Sequence, residues 1–191
     1  IDNNVLANIE NYNGVQEVYP MLRINGFDIY LEGDDVAYPM GFPTAVDMPG
    51  DNSMYGGLLV GDDLTLDDNE VYVSNFVSEF YEISNEEMIG KSIILKSSSP
   101  TVFSTPTKAG LDKEYEFKVV GVVDSMNDVF FMSLDKGLDI VTEMGGYDSL
   151  EEYISTVGFT DLLLKTDIDK TDEIEDYIVD EPNLSVISSE T

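Results

Sequence analysis

The spacing of apolar residues is clearest between Glu70 and Asp124, where it predicts strands and helices in turn. Glu70–Ser74 is a short run of β-branched and aromatic residues, which is typical of a strand. Beyond it, Ser74 or Asn75 can cap a helix whose apolar residues recur at 3.6-residue spacing: Phe76, Val77, Phe80 and Tyr81. An apolar stripe of this kind normally faces a core.

A second, shorter helix is predicted by Ser84 and Glu87, whose spacing is that of a capping box. Gly90 ends it, because glycine reaches the left-handed conformation at the least steric cost. Strands follow over residues 92–96 and 115–124, separated by a loop rich in Ser, Pro and Thr. Alternate residues of the longer strand face opposite sides of a sheet, with Tyr115, Phe117 and Val119 on one side and Glu116 and Lys118 on the other.

The first 33 residues predict a helix over residues 2–13, which Asn13-Gly14 ends, and then two strands. Those strands cover residues 15–21 and 24–32, and Asn25-Gly26 suits a hairpin turn between them.

The last third predicts a strand over residues 129–132, a helix that Ser133 caps and Gly145-Gly146 end, and a helix that Ser149 caps and Gly158 ends. The buried stripe of that second helix should be Leu150, Tyr153, Ile154 and Val157. A strand over residues 160–166, a helix capped by Asp169 or Thr171, and a last strand over residues 184–187 complete the chain.

Periodicity fades between Gly33 and Asp68, which predicts a long loop. The loop is rich in Met and aromatic side chains, which make adaptable contact surfaces, although packing within its own domain is the alternative. The candidate partner-contact residues are Tyr38, Met40, Phe42, Met48, Met54 and Tyr55. If they form a contact surface, removing residues 39–54 should spare folding.

Composition narrows the possible partners. The 191 residues are 42% hydrophobic, as in a globular protein, and carry 39 acidic against 9 basic side chains, for a net charge of −30. Nucleic acid and anionic membrane surfaces are therefore poor partners, because both need clustered Lys and Arg. The acidity suits solubility or adaptation to salt, and the alternative is a cationic partner.

Candidate chemistry is sparse. The chain has no Cys and no His, so thiolate and histidine-based catalysis are excluded. Phosphate-binding glycine loops are missing, and paired acids such as Asp62-Asp63 are expected by chance in so acidic a chain. Asp167, Asp169 and Asp172 begin like a calcium loop, but that pattern then fails at its sixth and twelfth positions. Residues 62–70 remain a calcium candidate. We predict no catalytic residue, no cofactor and no metal site.

An ordered set of segments resembles the extracytoplasmic core domain of MacB-type ABC transporter permeases, which belong to the FtsX-like superfamily. These segments are "EVYVSNFVSEFYEISNEEMIGKSIIL", "YEFKVVGVV" and "VFFMSL", with weaker similarity in "NGVQEVYPML" and "TDLLLKT".

The resemblance implies an α+β fold with two lobes. Residues 1–33 and 125–191 would form a membrane-proximal α/β lobe, and residues 34–124 an inserted, β-rich distal lobe.

The function that the resemblance implies is non-catalytic. The domain would lie on the extracellular side of the cell membrane, as a segment of a longer membrane protein, and would transmit the motion driven by ATP hydrolysis. Its partners would be a cytoplasmic ATPase acting through transmembrane helices, a second permease copy, and a peptide, lipoprotein or envelope protein. The excess of Lys, Ile and Asn over Arg suggests a Gram-positive source. A secreted acidic binding or adhesion module is the alternative, and a carboxylate-dependent hydrolase is a further rival.

Overall fold

The computed structural model describes residues 1–47, 56–62, 65–97, 113–126, 128–181 and 184, and the backbone of residues 101–102 and 105–106. In these residues the strands are β1 (Val15–Arg23), β2 (Phe27–Leu31), β3 (Pro43–Val46), β4 (Leu58–Gly61), β5 (Glu70–Ser74), β6 (Ser92–Ser97), β7 (Thr101–Val102), β8 (Thr105–Pro106), β9 (Glu114–Val123), β10 (Phe130–Met132) and β11 (Asp161–Thr166). The helices are α1 (Asn3–Glu10), α2 (Asn75–Phe80), α3 (Asn85–Met88), α4 (Leu134–Gly145), α5 (Leu150–Thr156) and α6 (Thr171–Val179), with a 3₁₀ turn over Ile168–Lys170.

A mixed sheet joins most of the strands in the order β11-β1-β3-β10-β5-β9-β6-β2, and β4 also pairs with β9. The pairs β3 with β10 and β5 with β9 are parallel, while the others are antiparallel. This mixed sheet with six helices in the described residues confirms the α+β fold class.

The sheet curls, as the short link between β1 and β2 shows. Only three residues, 24–26, separate these strands, so their ends lie at most ~15 Å apart. Six strand-to-strand steps lead from β1 to β2 through the sheet, which would span roughly 29 Å if the sheet were flat. The predicted hairpin is therefore wrong: Asn25-Gly26 joins two strands that pair with other partners, β1 with β11 and β3, and β2 with β6.

Strand alternation gives the sheet two apolar faces. Val71 and Val73 of β5 join the larger core cluster, whereas Tyr72 between them joins the second. The larger cluster also takes side chains from α2, α3, α4 and α5, namely Val77, Met88, Leu138, Ile140, Val141, Met144 and Tyr153. The main core thus lies between the sheet and these helices.

The central unit forms largely as predicted from residue 70 to residue 124. Ser74 accepts the Phe76 N–H at the start of α2, and Ser84 and Glu87 form the reciprocal capping box of α3. Gly90 adopts φ +86° with no atom near the position of a Cβ, so the turn needs glycine for its conformation. Gly121 in β9 is needed for space, because a Cβ there would lie 2.5 Å from the Tyr72 ring.

The two terminal helices pack side by side over β1 and β11. Ile9 of α1 meets Ile174 and Ile178 of α6 in a third apolar cluster. Tyr12, just beyond α1, stacks on Tyr177 with ring centroids 4.2 Å apart. Gly14 lies against Lys170, before α6 begins. The end of α1 and the residues after it thus contact the last helix along its length, from Lys170 just before α6 to Ile178 near its end.

Arg23, the single arginine, binds the strands near these helices together. Its guanidinium lies 3.6 Å from carboxylate oxygens of both Asp128 and Asp161. Asp128 is buried and also accepts a 3.0 Å hydrogen bond from the Thr44 hydroxyl of β3. Because a buried carboxylate needs both a counter-charge and hydrogen bonds, we read this cluster as structural.

Several local predictions were wrong. The region predicted as a loop contains β3 and β4, and all four β3 side chains are buried. Removing residues 39–54 would delete β3 and is not expected to spare folding. No side chain caps α6, which the 3₁₀ turn precedes, and Leu150 is 39% exposed. The predicted last strand lies outside the described residues, apart from Leu184.

The division into two lobes stays a prediction. In the sheet, β1 and β10 from the proposed membrane-proximal segments pair with β3 and β5 from the proposed distal segment.

Candidate functional site

The chain between β2 and β3 forms one wall of the candidate site. Gly33 turns it away from β2 with φ +82°, and the Asp34 carboxylate accepts the Val36 N–H at 2.9 Å. Tyr38 then returns to β2, where its N–H donates to the Ile29 carbonyl at 2.8 Å. The segment is thus attached to the sheet at both ends, because β3 follows at once.

Aromatic rings from the end of α2 form the other wall. Phe80 packs edge-on against Tyr38, with centroids 5.3 Å apart, and against Tyr81, with centroids 4.9 Å apart. The Tyr81 hydroxyl donates to the carbonyls of Val36 at 2.8 Å and Ile29 at 3.3 Å. These contacts hold the end of α2 against the segment after β2.

An open depression of about 190 Å³ lies between the two walls, lined by Asp34, Val36, Phe80, Tyr81 and Glu82. Its apolar side chains remain substantially in solvent, Val36 being 57% and Phe80 38% exposed. Nearby, Met40 is 68% and Phe42 41% exposed. We call this region, residues 34–42 with 79–82, the aromatic-acid patch.

Carboxylates stand around the patch, at Asp34, Glu79 and Glu82. Burial raises the pKa of Tyr38, and the nearby Glu79 charge adds to that rise. Burial also raises the pKa of Tyr81, with a further upward contribution from Asp34. The ion pairs of the described residues include none to Asp34, Glu79 or Glu82.

The structure describes three of the six candidate contact residues. Tyr38 packs against the main core, while Met40 and Phe42 are exposed in the aromatic-acid patch. Met48, Met54 and Tyr55 lie outside the described residues.

Sequence reasoning missed the contribution of α2 to this surface. Phe80 and Tyr81 belong to its predicted apolar stripe, but Val77 is the member of that stripe that is fully buried. Three of the six residues of α2 are apolar, and Phe76 and Phe80 remain 36% and 38% exposed while Val77 enters the core. That excess of aromatic residues was the available signal.

Carboxylates elsewhere do not converge in the described part of the chain, where no group of three or more Asp or Glu could share a metal ion. Asp63 of the calcium candidate lies outside it. Residues 168–179 are helical, so the segment that begins like a calcium loop does not wrap around a central point. None of the described helices is long and apolar enough to cross a membrane.

No protein-family profile matches the sequence, and no curated protein does. Solved structures do match. One is a domain of a permease protein from Porphyromonas gingivalis, with 13% identity, a TM-score of 0.53, and coverage of 91% of this chain and 72% of that one.

Another match is the extracellular domain of the ABC-type transporter YknZ from Gram-positive bacteria, with 13% identity, a TM-score of 0.50, and coverage of 92% and 78%. The periplasmic region of MacB from Actinobacillus actinomycetemcomitans gives 14% identity and a TM-score of 0.49, with coverage of 96% and 85%. The first two show that this chain has the fold of a permease domain and of the extracellular domain of an ABC-type transporter, which confirms the α+β fold class that the resemblance implied.

Proposed function

We propose that this chain is a non-catalytic extracytoplasmic domain of an ABC transporter permease. The observation that supports this most is the fold it shares with the P. gingivalis permease domain and with the extracellular domain of YknZ. The motifs of the resemblance point independently to the same class of protein, since they were found in the residues alone.

The terminal helices suit a domain that is moved from the membrane. Ile9 of α1 packs against Ile174 and Ile178 of α6, so the first and last described helices form one pair that also packs on β1 and β11. Movement of the spans would then reach the sheet through the α1–α6 pair and β1–β11.

The chain would depend on a partner protein for ATP hydrolysis. Nothing in the 191 residues matches a phosphate-binding loop, so ATP hydrolysis falls to a cytoplasmic ATPase that acts through the membrane spans. A second permease copy would complete the transporter. The aromatic-acid patch would contact a peptide, lipoprotein or envelope protein, with Met48, Met54 and Tyr55 as further proposed contacts.

Two finer points belong to the same proposal. Residues 1–33 with 125–191 would be the membrane-proximal lobe, and residues 34–124 the distal lobe. The Gram-positive source rests on composition alone.

Membrane topology tests the proposal. In the full-length gene we expect apolar spans of ~20 residues on both sides of this segment. The segment has no Cys, so one introduced cysteine gives a clean label once any others in the full-length protein are replaced. Glu86→Cys, on the exposed face of α3, should react with a membrane-impermeant maleimide in intact cells.

Val73→Cys is the matched control, because Val73 is fully buried and its cysteine should react only after unfolding. Labelling of Glu86→Cys only after lysis would contradict an extracytoplasmic location. A cleavable signal before the segment with no span after it, and protein in the medium, would instead establish a secreted binding module.

A further inference from the structure

We propose that the depression in the aromatic-acid patch binds a lysine or arginine side chain presented by a partner polypeptide. This inference specifies the partner contact of the proposed function, and it rests on that function because the function supplies the partner. The volume, about 190 Å³, is below the roughly 300–1,000 Å³ of small-molecule pockets, which favours a single side chain as the occupant.

The walls of the depression match both parts of such a side chain. Phe80, 38% exposed, lines the depression as an aromatic ring of the kind that attracts cations, and Asp34 and Glu82 line it with carboxylates that can accept hydrogen bonds. Val36 also lines the depression, is 57% exposed and can cover the apolar stem of the side chain.

The charges also favour a cationic occupant. In the described part of the chain, neither Asp34 nor Glu82 has an ion-pair partner. A partner that brings a positive charge relieves local repulsion in a chain of net charge −30.

Lysine ammonium groups already lie over aromatic rings at two other places in the molecule. Lys96 lies over the Tyr30 ring at 4.7 Å, and Lys136 lies over the Tyr115 ring at 5.5 Å. The positive charge of Lys136 also lowers the pKa of Glu143, whose carboxylate accepts the hydrogen bond from the Tyr115 hydroxyl. The depression has the rings and carboxylates of these sites but no lysine from the described residues.

The depression is held in shape before binding. The 2.8 Å hydrogen bond from the Tyr81 hydroxyl to the Val36 carbonyl joins the wall of residues 34–38 to the end of α2, and Phe80 contacts the rings of both Tyr38 and Tyr81. A preformed site loses less conformational entropy on binding.

Glu82 has a backbone conformation that is unusual for glutamate. It has φ +57° just after α2, a left-handed position at which glycine or asparagine is usual. Glycine there would serve the turn better, so the carboxylate is the feature that glutamate adds.

The test is a titration of the ¹⁵N-labelled chain with the peptide acetyl-Gly-Leu-Lys-Leu-Gly-amide, followed by NMR. We also use versions with arginine or norleucine in place of lysine. We expect amide shifts at Val36, Tyr81 and Glu82 with lysine and arginine and none with norleucine. Phe80→Ala and Glu82→Gln should each weaken binding by about 3- to 10-fold, from the usual size of cation–π and charged contacts.

Glu86→Gln is the matched control, because it removes the same charge from exposed α3 nearby and should change binding by less than about 2-fold. Glu82→Gly should weaken binding like Glu82→Gln while its melting temperature stays at or above that of the parent, since glycine suits the left-handed position. This separates loss of the carboxylate from loss of the fold.

Equal binding by the parent, Glu82→Gln and Glu86→Gln would overturn the proposal, because it would show diffuse attraction to an acidic surface. Shifts with norleucine equal to those with lysine would overturn it as well. Either result leaves the maleimide labelling of Glu86→Cys unaffected, so the failure of this inference is distinguishable from the failure of the proposed function.

Discussion

At the scale of single residues, Glu143 shows how one carboxylate is stabilised in so acidic a chain. Its oxygens accept bonds from the Lys113 ammonium at 2.7 Å and the Tyr115 hydroxyl at 2.8 Å. The Lys113 bond, followed by the Tyr115 bond, lowers the pKa of Glu143 below 4.5. Burial, with a further contribution from Glu143, raises the pKa of Tyr115.

We predict that Glu143→Gln destabilises the protein at neutral pH but not in acid. Because the folded pKa is depressed, the stabilisation is complete above the unfolded value of 4.5 and is lost as the pH falls through the folded value. The side chain is 44% exposed, so the loss should be at most about 1 kcal/mol. Urea unfolding in a pH series from 7 to well below 4.5 measures this loss.

Glu116→Gln is the reference for this measurement. Glu116 is exposed on β9, the strand that carries Tyr115, and forms no ion pair with the described residues, so its substitution removes one negative charge without breaking such a contact. If both variants show the same stability at pH 7, the Lys113–Glu143–Tyr115 contact contributes nothing.

At the scale of elements, α4 approaches β3 more closely than a side chain would allow. A Cβ on Gly137 of α4 would lie 2.1 Å from the Cβ of Ala45 in β3. Ala45 is completely buried, and its Cβ is fixed to the strand backbone, so it cannot move aside. The absence of a side chain at Gly137 therefore sets the distance between helix and sheet.

We predict that Gly137→Ala lowers the free energy of unfolding, although alanine favours helix by about 1 kcal/mol. Overpacking costs about 1–3 kcal/mol and should outweigh that gain. Thermal and urea unfolding of the single variant should therefore show a net loss of up to about 2 kcal/mol.

The exchanged pair Gly137→Ala with Ala45→Gly tests the cause. Removing the Ala45 Cβ makes room for the new one, so the double variant should be more stable than the sum of the two single effects. Strict additivity would show that the contact between these residues is not the source of the loss.

At the scale of the whole molecule, local signals predicted elements well and pairing poorly. Capping residues such as Ser84 and stop residues such as Gly90 act within one turn, so the sequence around them determines the outcome. Asn25-Gly26 has the composition of a hairpin turn, but β2 pairs with β6, more than 60 residues away in the chain. That pairing depends on burial of side chains that are far apart in the chain, and a single sequence does not show which distant segments pack together.

The candidate site was predictable only in part for the same reason. Tyr38, Met40 and Phe42 were identified from a segment with unusual composition. Phe80 and Tyr81 come from a different element, and the fold alone brings them to Tyr38.

The net charge of −30 predicts that salt stabilises this protein. In the described residues, ion pairs engage only six carboxylates, those of Glu17, Glu114, Asp128, Glu143, Asp161 and Glu173. Most of the 39 acids therefore repel one another, and raising NaCl from ~0.02 to ~1 M shortens the screening length from over 20 Å to about 3 Å. The melting temperature should rise, by about 2–4 °C for each kcal/mol of repulsion removed.

The control for this melting experiment compares calcium with EDTA at constant ionic strength. Screening depends on ionic strength alone, so repulsion predicts equal melting temperatures in both. A further rise in millimolar calcium would mean that the folded state binds the ion, since a ligand stabilises only the state that binds it. That result would revive residues 62–70 as a calcium site, whereas equal curves would remove it and leave repulsion as the cause.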